Sequence, residues 1–112
     1  MYIIWLPVQS GDTAEDAQKV AKKFAAPSTK HYYDKSNGTA ISLGKTLNLP
    51  PSEWGGGDDK NGGAWDVYAL FAPGELWMDR PPEPAFWTHQ LDNITTHPRL
   101  DTKELQKQVE AL

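Results

Sequence analysis

The chain has 112 residues, a formal net charge of −4 at pH 7 and no cysteine. This length suits one domain, residues 1–112, and the lack of cysteine excludes disulfides, a thiolate nucleophile and a cysteine-based zinc site. The acidic balance argues against nucleic acid and anionic membranes as partners, because both are bound by clustered Lys and Arg. No apolar run approaches the roughly 18 residues of a membrane span, so we expect a cytoplasmic protein.

The first third of the chain predicts a β-α-β unit. The near-continuous apolar run Tyr2–Val8 suits a strand that is buried on both faces of a parallel sheet. Asp12, with Glu15 three residues later, predicts the capped start of a helix that ends before Pro27. Lys30–Tyr33 is a short aromatic strand candidate, and the crossover connection makes the two strands parallel.

The middle of the chain predicts a short helix and a flexible loop. Thr39–Leu47 carries apolar residues at helical spacing, with Gly44 weakening the helix. Residues 55–63 are rich in glycine, so we expect them to be the most mobile internal segment. The segment lacks the Lys-Ser/Thr ending of a phosphate-binding P-loop, and it is interpreted as a tether.

The last part of the chain predicts two strands and two helices. Trp65–Phe71 is rich in strand-forming residues, and Glu75–Met78 follows a Pro-Gly turn as its antiparallel partner. Pro84 suits the first position of a short helix, Ala85–Leu91, and Asp101 caps the final helix. The order of elements predicts an α/β fold with a mixed sheet of about four strands flanked by helices.

The segment from Ala64 to Leu91 resembles bacterial thioredoxin-like proteins. The resemblance is carried by Trp65-Asp66-Val67-Tyr68, Pro73-Gly74, Pro81-Pro82, Trp87 and His89-Gln90-Leu91. It implies a thioredoxin-like remnant that starts after the first strand, the CxxC pair and the first helix of that family. The position of the family's cis-proline reads Gly62-Gly63-Ala64, so no functional residue carries over and thiol–disulfide chemistry is excluded.

Four residues are candidates for acid–base or metal chemistry: His31, Asp34, His89 and His97. The histidines lie on separate predicted elements and lack metal-ligand spacing, so we expect structural roles, no metal and no cofactor. His89 is the strongest candidate, because it follows Trp87 and is expected to face the same hollow as Asp66.

Five aromatic residues lie close together in sequence and are candidates for one cluster: Trp65, Tyr68, Trp77, Phe86 and Trp87. Such a cluster forms a core, a dimer interface or a hollow for a small apolar ligand, and the sequence leaves these alternatives open. The acidic neighbours Asp66, Glu75 and Asp79 would favour a cationic ligand through cation–π contact.

These patterns predict a non-catalytic binding or protein-interaction domain that forms a homodimer. A sheet that lacks the first strand and helix of the family would expose apolar surface, and a second copy related by a two-fold axis is the commonest way to bury it. The expected seam is Tyr2–Val8 or Trp77–Trp87. The alternative is a small-molecule binder or enzyme that uses an aromatic hollow with His89 and Asp66. Short cysteine-free chains of this kind are typical of bacterial integron gene cassettes, by analogy of size and fold.

Overall fold

The computed structural model describes residues 1–9, 11–55 and 62–112. The elements, in chain order, are β1 (Tyr2–Trp5), α1 (Ala14–Lys23), β2 (Lys30–Tyr33), α2 (Gly38–Thr46), a 3₁₀ turn (Pro51–Glu53), β3 (Val67–Leu70), β4 (Phe86–His89) and α3 (Thr102–Ala111). This mixture of helices and strands confirms the α/β class. The predicted mobility of residues 55–63 concerns mainly residues 56–61, which lie outside the described residues.

The predicted parallel pair is confirmed, but its first strand is shorter and more exposed than expected. β1 pairs with β2 in register from Tyr2 opposite Lys30 to Trp5 opposite Tyr33, with α1 as the crossover. After β1 the chain turns tightly, because the amide of Val8 donates to the carbonyl of Leu6 at 3.0 Å. The prediction of burial on both faces is wrong, since Tyr2 is 68% exposed in a sheet of two strands.

Helix caps agree with the predicted chemistry, with one shift in position. α1 is capped by Thr13 rather than Asp12: Thr13 Oγ1 accepts from the Asp16 amide at 3.2 Å, and Asp16 Oδ2 accepts from the Thr13 amide at 3.3 Å. Asp12 instead accepts from the Gln9 amide at 2.7 Å. At α3 the prediction is confirmed, because Asp101 Oδ1 accepts from the amides at positions 103 and 104.

The second strand pair differs from the prediction. β3 runs antiparallel to β4, with Val67 opposite His89 and Leu70 opposite Phe86. The predicted pairing of β3 with residues 75–78 and the predicted helix at residues 85–91 are therefore wrong. The sequence Phe-Trp-Thr-His favours a strand once a neighbour is available. The four described strands form two separate two-stranded sheets instead of one mixed sheet.

The hydrophobic core lies between α2 and the second sheet. Its buried members are Leu49, Trp54, Ala64, Leu91 and Ile94, with Ile41, Leu43, Leu47, Trp65, Val67 and Trp87 packed against them. The Trp54 indole donates to the carbonyl of Leu49 at 3.0 Å and lies against Gly44. Gly55 is equally confined, since a Cβ there would overlap the Trp65 indole. These two glycines therefore allow close packing of indole rings on the backbone.

Candidate functional site

The predicted aromatic cluster is divided between the core and the surface. Trp65 and Trp87 pack against the buried cluster, and Phe86 is half-buried. Tyr68 is exposed, and its hydroxyl donates to Gln90 Oε1 at 3.1 Å. Trp77 lies on the connection between β3 and β4 and is 44% exposed. The cluster therefore contributes to the core through Trp65 and Trp87 and to the surface through Trp77.

His89 is a structural residue of strand β4. It is 0% exposed, and its Nε2 lies 2.9 Å from the carbonyl oxygen of His97. His97 Nε2 lies 2.8 Å from the carbonyl of Trp87, and its ring stacks on the Trp87 ring with centroids 3.6 Å apart. A carbonyl oxygen only accepts, so each Nε2 carries a proton. The two histidines thus fasten β4 to the segment that follows it.

Asp66 and His89 do not form an acid–base pair. The Asp66 side chain is exposed, whereas His89 is enclosed and uses its Nε2 on a backbone carbonyl. The backbone carbonyl of Asp66 accepts from the Gln90 amide at 3.0 Å, which extends the strand pairing by one residue. This arrangement contains no shared hydrogen bond through which one side chain would orient or activate the other.

His31 is held within the first sheet. Trp5 Nε1 donates to His31 Nδ1 at 3.1 Å, and the two rings are nearly parallel with centroids 6.1 Å apart. Because Nδ1 accepts, the neutral ring carries its proton on Nε2, which is buried and has no hydrogen-bond partner among the described residues. The ring therefore joins β1 to β2 and presents no accessible nitrogen to a substrate.

Asp34 closes the start of α2. Its Oδ1 accepts from the amide and hydroxyl of Ser36 at 3.0 and 2.7 Å, and its Oδ2 accepts from the Thr39 amide at 2.7 Å. Burial alone would raise the pKa of Asp34, but the hydrogen bonds from Thr39 and Ser36 outweigh it, so the pKa lies below the usual 3.8. The carboxylate thus stabilises the N-terminus of the helix and is not free for catalysis.

The main exposed apolar segment on the connection between the second pair of strands is Leu76–Met78, here called the apolar loop. Leu76 is 73% exposed, Trp77 44% and Met78 77%. A turn in which the Glu75 amide donates to the Ala72 carbonyl at 3.2 Å precedes the loop. The exposed area is on the order of 400 Å², the size of functional patches on typical monomers.

Two shallow depressions share Arg80 in their linings, and the larger of them is also lined by residues of the apolar loop. The larger one, of about 480 Å³, is lined by Leu76, Met78, Asp79, Arg80, Pro81 and Pro82. The smaller one, of about 170 Å³, is lined by Ser42, Lys45, Thr46 and Arg80. Neither is lined by His89, Asp66 or Trp87. The candidate site therefore consists of the apolar loop with these two depressions.

Within this site, sequence reasoning named Trp77 as a candidate and Asp79 as an acidic neighbour, and it included residues 77–87 in an expected dimer seam. It did not single out Leu76, Lys45 or Arg80. Three consecutive large apolar residues between a Pro-Gly turn and a Pro-Pro pair were a usable signal for an exposed loop. That signal was assigned to a strand instead. The meeting of Lys45 with Arg80 had no local signal, because the two residues are far apart in sequence.

Comparison of the chain with family models, with curated proteins and with solved structures found no match. Within the described ranges, no helix is long and apolar enough to cross a membrane. In the same part of the chain, no three His, Asp or Glu side chains come together as a group that would hold a metal ion. The geometry of the site is therefore the basis for a functional proposal.

Proposed function

We propose that this chain is a non-catalytic protein-interaction domain, and that its first partner is a second copy of itself. The supporting observation is the apolar loop, which presents three adjacent large apolar side chains to solvent on a connection between two strands. A contiguous exposed apolar patch of this size is often functional, and Trp and Arg, both present here, are the residues enriched at binding hot spots. The loop also contains Trp77 and so agrees with the second of the two expected seams.

A second copy suits the charges around the loop. Glu75 precedes the apolar residues, and Asp79 and Arg80 follow them. In a two-fold contact the same patch occurs on both partners, so each loop meets an identical one. A two-fold axis near Trp77 would bring Arg80 of each copy toward the acidic residues of the other. Apolar centre and mixed-charge rim are the usual anatomy of an interface.

The size of the loop predicts a weak dimer. Two copies that cover about 400 Å² each would bury about 800 Å² in total, below the roughly 1,200 Å² of stable specific complexes. We therefore expect association that depends on concentration, with a dissociation constant between about 1 µM and 1 mM.

Sedimentation of the full chain over a concentration series from micromolar to millimolar tests this proposal. The wild type should move from the 12.5 kDa monomer toward the dimer as concentration rises. Leu76→Ser should keep the protein monomeric, whereas Leu112→Ser, at an apolar residue that is 50% exposed elsewhere, should not. A wild type that stays monomeric throughout would contradict the proposal.

The other expected dimer seam lies at the first sheet, and the same experiment distinguishes it from the apolar loop. Tyr2 and Tyr32 are both exposed there, but their rings stack on each other with centroids 6.1 Å apart, and Lys30 Nζ lies 5.9 Å from the Tyr2 ring. With these contacts in place Tyr2 is still 68% and Tyr32 53% exposed, so the first sheet has apolar surface of its own for a partner. A dimer that survives Leu76→Ser and is abolished by Ile4→Lys would place the interface at the first sheet.

The alternative of a binder or enzyme built on His89 and Asp66 receives less support, because these side chains do not share a hollow. We further propose a thioredoxin-like origin, for which the parallel β1–β2 pair with its crossover helix and the later antiparallel pair are supporting features. A cytoplasmic location and an origin in a bacterial gene cassette belong to the same proposal, as analogies of composition and size.

A further inference from the structure

The smaller depression beside the apolar loop is lined only by hydrogen-bond donors of positive or neutral charge. Ser42, Lys45 and Thr46 come from α2, and Arg80 comes from the connection between β3 and β4. The three helical residues stand at relative positions 0, 3 and 4, so they share one face of the helix. Two cations and two hydroxyls thus converge on a space of about 170 Å³.

The cavity has two walls, α2 and the connection between β3 and β4. The first packs on the core, and the second is hydrogen-bonded to the first. α2 packs through Gly44 against Trp54, which is 2% exposed. The hydroxyl of Thr46 donates to the carbonyl of Pro81 at 3.4 Å, and Pro81 is buried. Arg80 directly precedes Pro81, so its backbone is held next to α2 by the same hydrogen bond. Its place in the cavity wall with Lys45 therefore does not depend on a contact between the two side chains.

Neither cation of the cavity forms an ion pair within the described residues. The ion pairs of the described residues join Arg99 to Asp92 and Lys107 to Glu104, and neither includes Lys45 or Arg80. Asp79 borders the larger depression and does not line the smaller one. Two like charges beside one cavity repel each other, and a bound anion would relieve that repulsion.

We propose that Arg80, Lys45 and Ser42 form a binding site for a single oxyanion, the carboxylate or phosphate group of a small ligand, with Thr46 as part of the wall. Guanidinium and ammonium groups donate without accepting, and the Ser42 hydroxyl can turn to donate, so these three side chains suit a ligand that only accepts. The Thr46 hydroxyl already donates to the Pro81 carbonyl and holds the wall in place. The cavity is smaller than the roughly 300–1,000 Å³ of sites for whole drug-sized ligands. It suits a charged headgroup, with the rest of the ligand outside.

Titration of the isotope-labelled full chain, followed by the backbone amide signals of Ser42 and Thr46, tests this proposal. Inorganic phosphate and acetate are added in separate arms at constant ionic strength, because salt screens such contacts. Saturable shifts at both residues are expected. Tighter binding of phosphate assigns the site to phosphate groups, and tighter binding of acetate assigns it to carboxylates.

Four variants make the result specific. Arg80→Gln and Lys45→Gln should each weaken binding about tenfold or more, because each removes a charged donor. Lys19→Gln, on the exposed surface of α1, should leave the affinity unchanged. Linear shifts without saturation for both anions, or equal affinity of the wild type and Arg80→Gln, would overturn the proposal. Leu76→Ser should bind the anion normally, which separates this site from the dimer proposed above.

Discussion

Replacing Gly44 by alanine tests whether the packing of Trp54 or the intrinsic preference of the helix decides the stability of α2. Alanine is the better helix former by about 1 kcal/mol, so helix preference alone predicts stabilisation. The structure predicts the reverse sign. A Cβ at position 44 would lie 2.7 Å from Nε1, 2.8 Å from Cε2 and 3.1 Å from Cζ2 of Trp54, whereas ordinary contact begins at 3.4 Å.

Trp54 has little freedom to give way. It is 2% exposed and donates to the Leu49 carbonyl, so a shift of the ring disturbs both the core and that hydrogen bond. Overpacking of a core costs about 1–3 kcal/mol, and its central value of about 2 kcal/mol exceeds the gain of about 1 kcal/mol in helix preference. We expect a net loss of about 1 kcal/mol and a melting temperature lower by roughly 5 °C.

Urea unfolding followed by circular dichroism measures the effect as a lower midpoint at an unchanged slope. Lys45→Ala, at the next and exposed position of the same helix, is the control and should change stability by less than about 0.5 kcal/mol. Trp54→Phe removes the second ring, so Gly44→Ala should cost close to nothing in that background. Equal or higher stability of Gly44→Ala in the wild-type background would refute the packing argument.

Three further predictions concern Asp34, the two paired histidines and redox chemistry. Because the folded pKa of Asp34 is lowered below 3.8, its ionised form stabilises the fold at neutral pH and that contribution is lost as pH falls through the folded pKa. Asp34→Ala should cost about 1 kcal/mol at pH 7, and urea midpoints measured from pH 7 to pH 2 should show a smaller acid loss for this variant. His97→Phe keeps the stack on Trp87 but removes the donor to the Trp87 carbonyl, so it should lower the free energy of unfolding by about 1–3 kcal/mol in the same assay. An unchanged midpoint would contradict a stabilising role of this hydrogen bond. In an insulin-reduction assay with dithiothreitol, the protein should match the buffer blank because no sulfur nucleophile exists, and turnover above the blank would contradict that expectation.

Local features were predictable because their physical causes lie within a few residues. The range of β2 agrees with its prediction, and Asp101 caps α3 as expected. The parallel pairing was predictable because a helix between two strands returns the chain to the end of the sheet at which the first strand began. The predicted cap of α1 is wrong by one residue, because Asp12 and Thr13 are both good capping residues. Asp12 accepts from the Gln9 amide instead, and Thr13 caps the helix.

Pairings between distant segments were not predictable from local pattern. Residues 86–89 have both a proline-led helix start and strand-forming side chains, and the hydrogen bonds to β3 decide between them. His89 is enclosed because residues 97–100 return beside β4, where the Leu100 amide donates to the His89 carbonyl at 2.8 Å.

The sequence by itself determined the α/β class, the absence of thiol chemistry and the cap of α3, because composition and short-range hydrogen bonds are sufficient causes for them. Only the tertiary structure decided that Trp87 and His89 belong to the interior, that Leu76–Met78 stays exposed, and that Lys45 meets Arg80. Burial and the convergence of charges depend on which distant segments become neighbours, and no local pattern contains that information.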